Sequence, residues 1–568
     1  MPQESPQVLI VGSGPAGLVL ALTLAQNGIP LRIIEKRIEF HQSQRGSGVQ
    51  PRSLELYKFL DVYEDMKQGS IPIPPICQYK LPGGREPDTV YRMIPTSDAT
   101  PDIPYSDTIT IGQYHAEAIL RDHLRKFGIE VELNSELLSF QQDNTRVSAE
   151  ILKRSSSGSE ETRELATFDF LVGADGAKGI TRKQIGLPFS GSSASPATRR
   201  IVGDVYVEGL TMDYWHSWRP GNAESLLLMP TEVEGLFFLI LFTNNPAEYD
   251  RIMASKESLQ QFICRTTTRD DIIVESIRTL SDFNPSIRMT NKFGEGRSFI
   301  VGDAAHVHSP MGAQGMNSSI QDSFNLGWKL SLVCKNLSPM SLLDTYTEER
   351  LPIIKAMLAK TTESQNQMTK KLHNPKAAWS VPKSLNQLRV NCRWSSILVE
   401  GQHKVKTALE TGDADTNARA YGSDDDDELR AGDRAPEAPG LRLMLVNPIS
   451  GIETTSLFSI FKPTCHTILL FEPLHHQLPM ILESLSSWAA GTVLVALILS
   501  SGSDVDIPKE VVESLVVCED KDGYAYEAYK KAIGGGFSVV IVRPDGVVGG
   551  IVKGVEGIKT YHDKLFIV

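Results

Sequence analysis

No stretch of the sequence is apolar for long enough to cross a membrane. The longest nearly apolar run, Trp488–Leu499, has 12 residues, where a spanning helix needs about 18–20. Met1–Gln7 is polar and lacks the basic-then-apolar order of a signal peptide. Cysteine is sparse: six, at 77, 264, 334, 392, 465 and 518, with no CxxC and no zinc-type paired spacing. That excludes a disulfide framework or a structural zinc and points to a reducing interior. Nor is there a basic surplus. A net charge of −12 argues against nucleic acid as a partner, since phosphates demand cations, and offers nothing to anionic lipid. These absences describe a soluble, cytoplasmic chain without metal, nucleic acid or membrane span.

What is present is globular. Hydrophobic residues at 41% and charged residues at 22% rule out a disordered or fibrous chain, and 568 residues are too many for one core. Val8–Val11, a glycine turn, Pro15–Gln26 and Leu31–Ile34 read as a β-α-β unit. An amphipathic helix is expected over Ile111–Phe127, capped by Gly128, with strands at Glu130–Leu133 and Phe168–Val172. Between about 195 and 285 the pattern turns to antiparallel strands, at Ile201–Val207, Ser225–Met229 and Leu236–Phe242. Phe299–Val301 returns to a buried strand before a long helix. Residues 364–430 are polar and end in the acidic run Asp424–Glu428, which reads as a solvated linker. Strands at Thr467–Phe471, Thr492–Leu499 and Phe537–Val542 then mark a small α/β domain. The division expected is therefore 1–194, 195–285, 286–363, 364–430 and 431–568.

Three segments carry chemistry. Gly12-x-Gly14-x-x-Gly17, with Pro15 and Ala16 inside it, follows a strand and opens a helix. Its glycines permit a tight turn, close approach to a pyrophosphate and close helix–strand packing, and the helix N-terminus favours negative charge. Glu35, beside Lys36 at the end of the next strand, is placed to accept ribose hydroxyls. This predicts a bound dinucleotide. In Phe299–His306 an aspartate, Asp303, sits just past a buried strand and could hold a ribityl chain. Small residues at 312, 313 and 315 let backbone pass beside a flat ring, and the helix start at Gly315-Met316-Asn317 aims N–H groups at its pyrimidine edge. Phe170–Gly176 repeats strand, aspartate (Asp175) and glycine. Ligands collect at the carboxyl ends of strands in open α/β sheets, so three such ends suggest one site, occupied by FAD.

Taken with Arg45–Arg52, the Gln113 helix start, His306-x-His308-Ser309-Pro310, Gln314–Asn317 and Arg543–Gly546, these segments resemble the single-component FAD-dependent aromatic hydroxylases, in particular their phenol hydroxylase-like branch. The resemblance implies an α/β and α+β chain: a Rossmann-like FAD domain of the GR2 type, an antiparallel-sheet substrate domain laid over the flavin, and a C-terminal thioredoxin-like domain. Without CxxC that last domain is expected to pack or dimerise rather than do redox chemistry. It further implies FAD contacts from Glu35, Arg45, Gln113 and Asp303, with Pro310 in the same block, and places Asp175 near the nucleotide phosphates. NADPH is the implied donor, NADH the alternative, and O2 the co-substrate. The implied cycle runs through a flavin C4a-hydroperoxide to an electron-rich ring.

A phenol reacts best as phenolate, so a base or cation should stand near it. The sequence departs from the family here: Ser47 stands where phenol hydroxylase carries an aspartate, and a serine cannot serve as that base. His216, in Tyr214–Arg219, is a candidate catalytic group, although the run also reads as strand packing. Ser47, Trp218, Met229 and Phe238 are substrate-contact candidates. His306 and His308 lack partners at metal spacing and read as structural. Among rivals, a flavin halogenase should carry two tryptophans two apart, whereas Trp215 and Trp218 are three apart. An FAD oxidoreductase that inserts no oxygen stays open. A non-catalytic lipid- or prenyl-binding relative would have no use for the flavin-edge helix.

Overall fold

A computed structural model describes residues 6–155, 160–193, 200–219, 224–284, 286–308, 311–370, 382–401, 405–406, 410, 412–422, 428–444, 454–471, 477–503, 515–533 and 539–567. The opening β-α-β unit forms as its sequence dictates. Val8–Val11 is wholly buried between Leu31–Ile34 and Phe170–Gly173, all parallel. Ser298–Ile300 adds in parallel to Phe170–Gly173 and Val131–Glu132 to Leu31–Ile34, with Gly294–Glu295 antiparallel at one edge. The helix Pro15–Gln26 is apolar nearly all round because both its faces are covered. It crosses the helix Gln314–Cys334 so closely that a Cβ on Gly327 would lie 2.7 Å from the Thr23 methyl.

The amphipathic helix runs Gln113–Arg125, and Gly128 follows it with φ +73°. The chain around 168 differs from expectation. One antiparallel strand, Glu161–Phe168, ends there and a parallel one, Phe170–Gly173, begins. The first belongs to a three-stranded meander with Ser135–Gln142 and Val147–Arg154.

Above this layer lies a seven-stranded sheet in the order Ile273–Phe283, Arg200–Glu208, Leu236–Thr243, Glu224–Pro230, Trp215–Trp218, Ile76–Tyr79, Pro87–Tyr91. Its last two strands come from chain ahead of residue 195. Trp215–Trp218 pairs with Ile76–Tyr79 in parallel, a long-range pairing with no local signal. One face packs on the helices Pro246–Ala254 and Lys256–Thr267. The other looks down on the parallel sheet's carboxyl ends.

An eight-stranded mixed sheet organises the C-terminal part, with His466–Phe471 parallel to Val493–Ser500 and antiparallel to Val539–Val542. Val399–Glu400 joins its edge from the supposed linker. That linker is less solvated than its composition suggests, because Leu385, Leu388, Trp394, Leu398 and Tyr421 are all buried. Most of the acidic run, Asp424–Asp427, lies outside the described residues, as do the first two residues of Phe537–Val542. Among the described residues no helix is long and apolar enough to cross a membrane, and no cluster of His, Cys, Asp and Glu could hold a metal ion.

Buried charge ties the two halves together. Arg543, on a turn of the C-terminal sheet, donates to both Glu349 carboxylate oxygens at 2.8 and 2.9 Å. Lys329 donates to Glu349 at 2.9 Å and the Asn325 amide donates to it at 2.6 Å, while Trp328 and Arg543 donate to Asp545. Burial alone would push the Glu349 carboxyl up, but the Arg543 and Lys329 charges outweigh it and hold the group well below its usual range. Glu349→Ala would strip buried Lys329 of its carboxylate and leave Arg543 with Asp545 alone. It should destabilise the chain by about 3–5 kcal/mol, read by denaturant unfolding; a loss below about 1 kcal/mol would contradict this account.

Candidate functional site

The carboxyl ends of the three central strands and the underside of the seven-stranded sheet enclose one cavity of about 2100 Å³. Single-ligand pockets are usually about 300–1,000 Å³, so there is room for a large ligand and a second one beside it.

The floor is built from the predicted segments. Gly12 has φ +105°, and a Cβ there would sit 2.4 Å from the Ala174 carbonyl oxygen. A Cβ on Gly17 would meet the Gly12 oxygen at 2.0 Å, so Gly17 serves packing, whereas Gly14 has nothing within 4 Å and opens to the cavity. Pro15, Ala16, Glu35 and Lys36 line the same end. Glu35 Oε2 accepts from both the backbone N–H and the hydroxyl of Ser13 at 3.2 Å, fixing the carboxylate against the glycine turn. This is a cradle for a phosphate-bearing group with a hydroxyl acceptor at its side.

The other two strand ends present carboxylates. Asp175 Oδ2 accepts from the Thr181 backbone and hydroxyl, both at 2.9 Å, while its buried Oδ1 has no partner. Burial raises its pKa against these bonds. A Cβ on Gly179 would fall 2.2 Å from that carboxylate, which accounts for the glycine. Asp303 projects into the cavity, open to it yet ringed by protein. That enclosure raises its pKa, opposed by His306 and Arg45. Arg45 (φ +42°) and Gln113 complete the rim; Gln113 donates to the buried Glu117 at 2.9 Å.

At the far side of the floor, Gly312 (φ +75°) and Ala313 (φ +52°) turn the chain into the helix Gln314–Cys334. Gly315 and Met316 line the cavity. Asn317 does not: its amide donates to Gly48 and Ala313 carbonyls at 2.8 and 2.6 Å, and its oxygen accepts from Gln50 N–H at 2.8 Å. It positions rather than lines. Pro310 lies outside the described residues.

The ceiling follows the strict alternation of a strand. Met229, Phe238 and Ser47 face the cavity. His216 and Trp218 do not, correcting their candidacy. Trp215, Ser217 and Arg219 point inward, so the intervening side chains point to the helix-covered face. There Trp218 Nε1–H donates to Gly84 O at 3.1 Å, and His216 bonds Tyr79 Oη at 2.7 Å and Thr211 O at 2.8 Å. Burial pushes the His216 pKa down to about 4. His306 is likewise structural, 2.6 Å from Asp322. Sequence reasoning missed Trp215, Arg200 and Arg219; the period of two was the signal that could have found them.

Two carboxylates hold the ceiling over the floor. Asp204 accepts from Gln44 N–H at 3.0 Å, and Glu232 accepts from Gly112 N–H and the Gln44 amide at 3.2 and 3.1 Å.

A glycine turn with room for a phosphate, acidic strand ends and an apolar compartment above them fit a flavin-type oxidoreductase. Comparison with known proteins agrees. Residues 5–361 match the family described as FAD binding domain. A flavin-dependent monooxygenase of Mycobacteroides abscessus is 32% identical over 472 residues, 82% of this chain and 88% of that protein. The 6-methylpretetramide 4-monooxygenase of Streptomyces rimosus is 30% identical, covering 68% and 67%. Among solved structures, aklavinone-11 hydroxylase in a ternary complex with FAD and aklavinone has a TM-score of 0.75 at 20% identity over 99% of each chain. The chain belongs to this FAD-binding family of aromatic hydroxylases and is an FAD-dependent monooxygenase.

His216→Phe tests its removal from the site. It should cost about 1–3 kcal/mol by stranding the Tyr79 and Thr211 partners, measured by thermal or denaturant unfolding, with flavin content per chain unchanged. Loss of flavin at unchanged stability would return His216 to the cavity.

Proposed function

We propose that the chain hydroxylates a phenolic or related aromatic compound, using NADPH and dioxygen. The observation that carries this reading is the single two-compartment cavity. A polar, glycine-lined floor fits FAD, and an apolar ceiling of Phe238, Met229 and Trp215 fits an aromatic ring above it. In this reading the Gly12–Gly17 turn receives the diphosphate, and Glu35 with Lys36 the adenosine ribose. Asp303 takes the ribityl hydroxyls, Arg45 and Gln113 border the cofactor, and Asp175 lies beside the phosphates. Gly315 and Met316 flank the ring edge at a helix N-terminus, which favours the negative charge gained on reduction.

FAD, when bound, would supply the redox chemistry between NADPH and dioxygen that the side chains lack. Atoms balance as substrate, O2, NADPH and a proton giving hydroxylated substrate, water and NADP+. The protein binds, orients and excludes water. Asp204 and Glu232 keep the sheet closed over the floor, and the ceiling removes water from the reacting ring. Ser47 can hydrogen-bond a phenol oxygen but cannot hold its proton; at neutral pH ionising a phenol costs about three pKa units, roughly 4 kcal/mol. The substrate therefore arrives activated by its own substituents or by nearby cations. The C-terminal sheet is read as thioredoxin-like, serving packing or a homodimer, and the enzyme as cytoplasmic, with NADH the alternative donor.

A screen of phenols under isotopically labelled dioxygen tests the reading. The expected product is heavier by one labelled oxygen, with one NADPH consumed per product. If NADPH were consumed and all the labelled oxygen appeared as hydrogen peroxide or water with every substrate, the chain would be an oxidoreductase that inserts no oxygen.

A further inference from the structure

Buried tryptophans in this chain give their N–H to an oxygen. Trp218 donates to the Gly84 carbonyl at 3.1 Å, Trp328 to Asp545 at 3.1 Å and Trp394 to the Glu348 carbonyl at 2.8 Å. Trp215 is also buried, at 9% exposure, yet its Nε1 has no hydrogen-bond partner in the chain. Its side chain lines the cavity, in an apolar cluster with Ile76, Tyr91 and Leu227. That packing holds the ring, so the N–H cannot turn away to find a carbonyl.

On the neighbouring strand Gln78 is in the same condition. Its Oε1 is buried without a partner, and the residue lines the same cavity. Register sets Ile76 beside Trp215 and Gln78 beside Ser217. Trp215 and Gln78 therefore share a face, one strand and two residues apart, about 8 Å between Cα atoms at ~4.8 Å per strand and ~3.3 Å per residue. Among the described residues, the only other cavity-lining side chain with a buried, unpartnered polar atom is Asp175, on the floor. The two ceiling atoms are complementary, one a donor and the other an acceptor, and Leu227, Met229 and Ile240 beside them offer neither. A buried hydrogen-bonding group left unpaired is destabilising. Two of them on a cavity wall suit a site that hydrogen-bonds its ligand and rejects analogues that cannot answer.

Resting on the hydroxylase reading above, we propose that Trp215 and Gln78 orient the substrate, which presents a carbonyl oxygen to Trp215 Nε1–H and a hydroxyl hydrogen to Gln78 Oε1. The indole N–H can only donate, and the amide oxygen can only accept. A ring turned end for end would set its carbonyl against the Gln78 oxygen, acceptor against acceptor. The pair thus decides which edge of the ring faces the floor, and with it which carbon is hydroxylated.

The test is equilibrium titration of the FAD-loaded protein with three probes, followed by flavin absorbance. They are 2-hydroxy-9-fluorenone, 2-hydroxyfluorene, which lacks the ketone, and 2-methoxy-9-fluorenone, which lacks the hydroxyl hydrogen. Each deletion should weaken binding about 3- to 10-fold, the size of one neutral hydrogen bond. In Trp215→Phe the ketone penalty alone should vanish, and in Gln78→Leu the hydroxyl penalty alone. Packing lost with the indole would weaken all three probes alike, so the match of penalty to residue separates a hydrogen bond from space filling. The probe comparison in the unaltered protein needs neither variant to fold. Equal affinities there, no binding of any probe, or penalties that survive their substitutions would overturn the proposal. The hydroxylase reading fails separately. If the titration pattern holds while no labelled oxygen enters any substrate, the pair stands and serves a different reaction.

Discussion

A helix with no exposed face must satisfy every polar side chain it carries from within the protein, and Gln314–Cys334 is such a helix. Nearly all of its residues are buried, yet it bears Gln314, Asn317, Gln321, Asp322, Asn325 and Lys329. Together they reach several separate segments. Gln314 donates to Gly312 and Leu385 carbonyls at 2.7 Å, and Gln321 donates to Gln387 at 2.6 Å. Asn317 grips the strand at Gly48, and Asp322 holds His306 and Arg350. Lys329 and Asn325 meet Glu349. An unmade bond at any of these would cost about 1–3 kcal/mol, so the helix has one acceptable seat. That seat fixes where Gly315 and Met316 enter the cavity and where Asp303 stands beside them.

The cavity inherits its asymmetry from this arrangement. Its floor is formed by strand ends and a helix start, where backbone N–H groups and carboxylates are unavoidable and suit a charged, hydroxylated ligand. Its ceiling is the flat face of a sheet, which can be made apolar without leaving backbone groups unpaired. Oxygen transfer needs both: a polar seat for FAD and a dry space for the ring. The Asp204 and Glu232 contacts join them.

The floor was legible in the sequence because its signals are local. A glycine turn after a strand, or an aspartate two or three residues past a strand, has the same geometry wherever it occurs, and Gly12, Asp175 and Asp303 do surround one cavity. The ceiling was not. Both faces of Trp215–Trp218 are buried, one by helices and one by the cavity, so composition could not say which side chains turn inward, and His216 and Trp218 were placed on the wrong face. The strands at 76–91 join the sheet across more than a hundred residues, with nothing nearby to announce it. Arg543 and Asp545, noticed only as part of a resemblance, belong to a buried cluster in which Arg543 bridges Asp545 and Glu349, which no local pattern encodes. Asn317 was a similar case: its neighbours line the cavity, but its own bonds turn it to the strand behind.

The central claim is that the third strand end seats the flavin and so sets the ring beneath the sheet. Its most direct test is FAD affinity of Asp303→Ala, measured by titrating apoprotein with FAD alongside circular dichroism of the fold. The account predicts a native spectrum with FAD bound about 10- to 100-fold more weakly, the scale of losing hydrogen bonds to a charged acceptor. Unchanged affinity would contradict it and move the flavin elsewhere in the cavity.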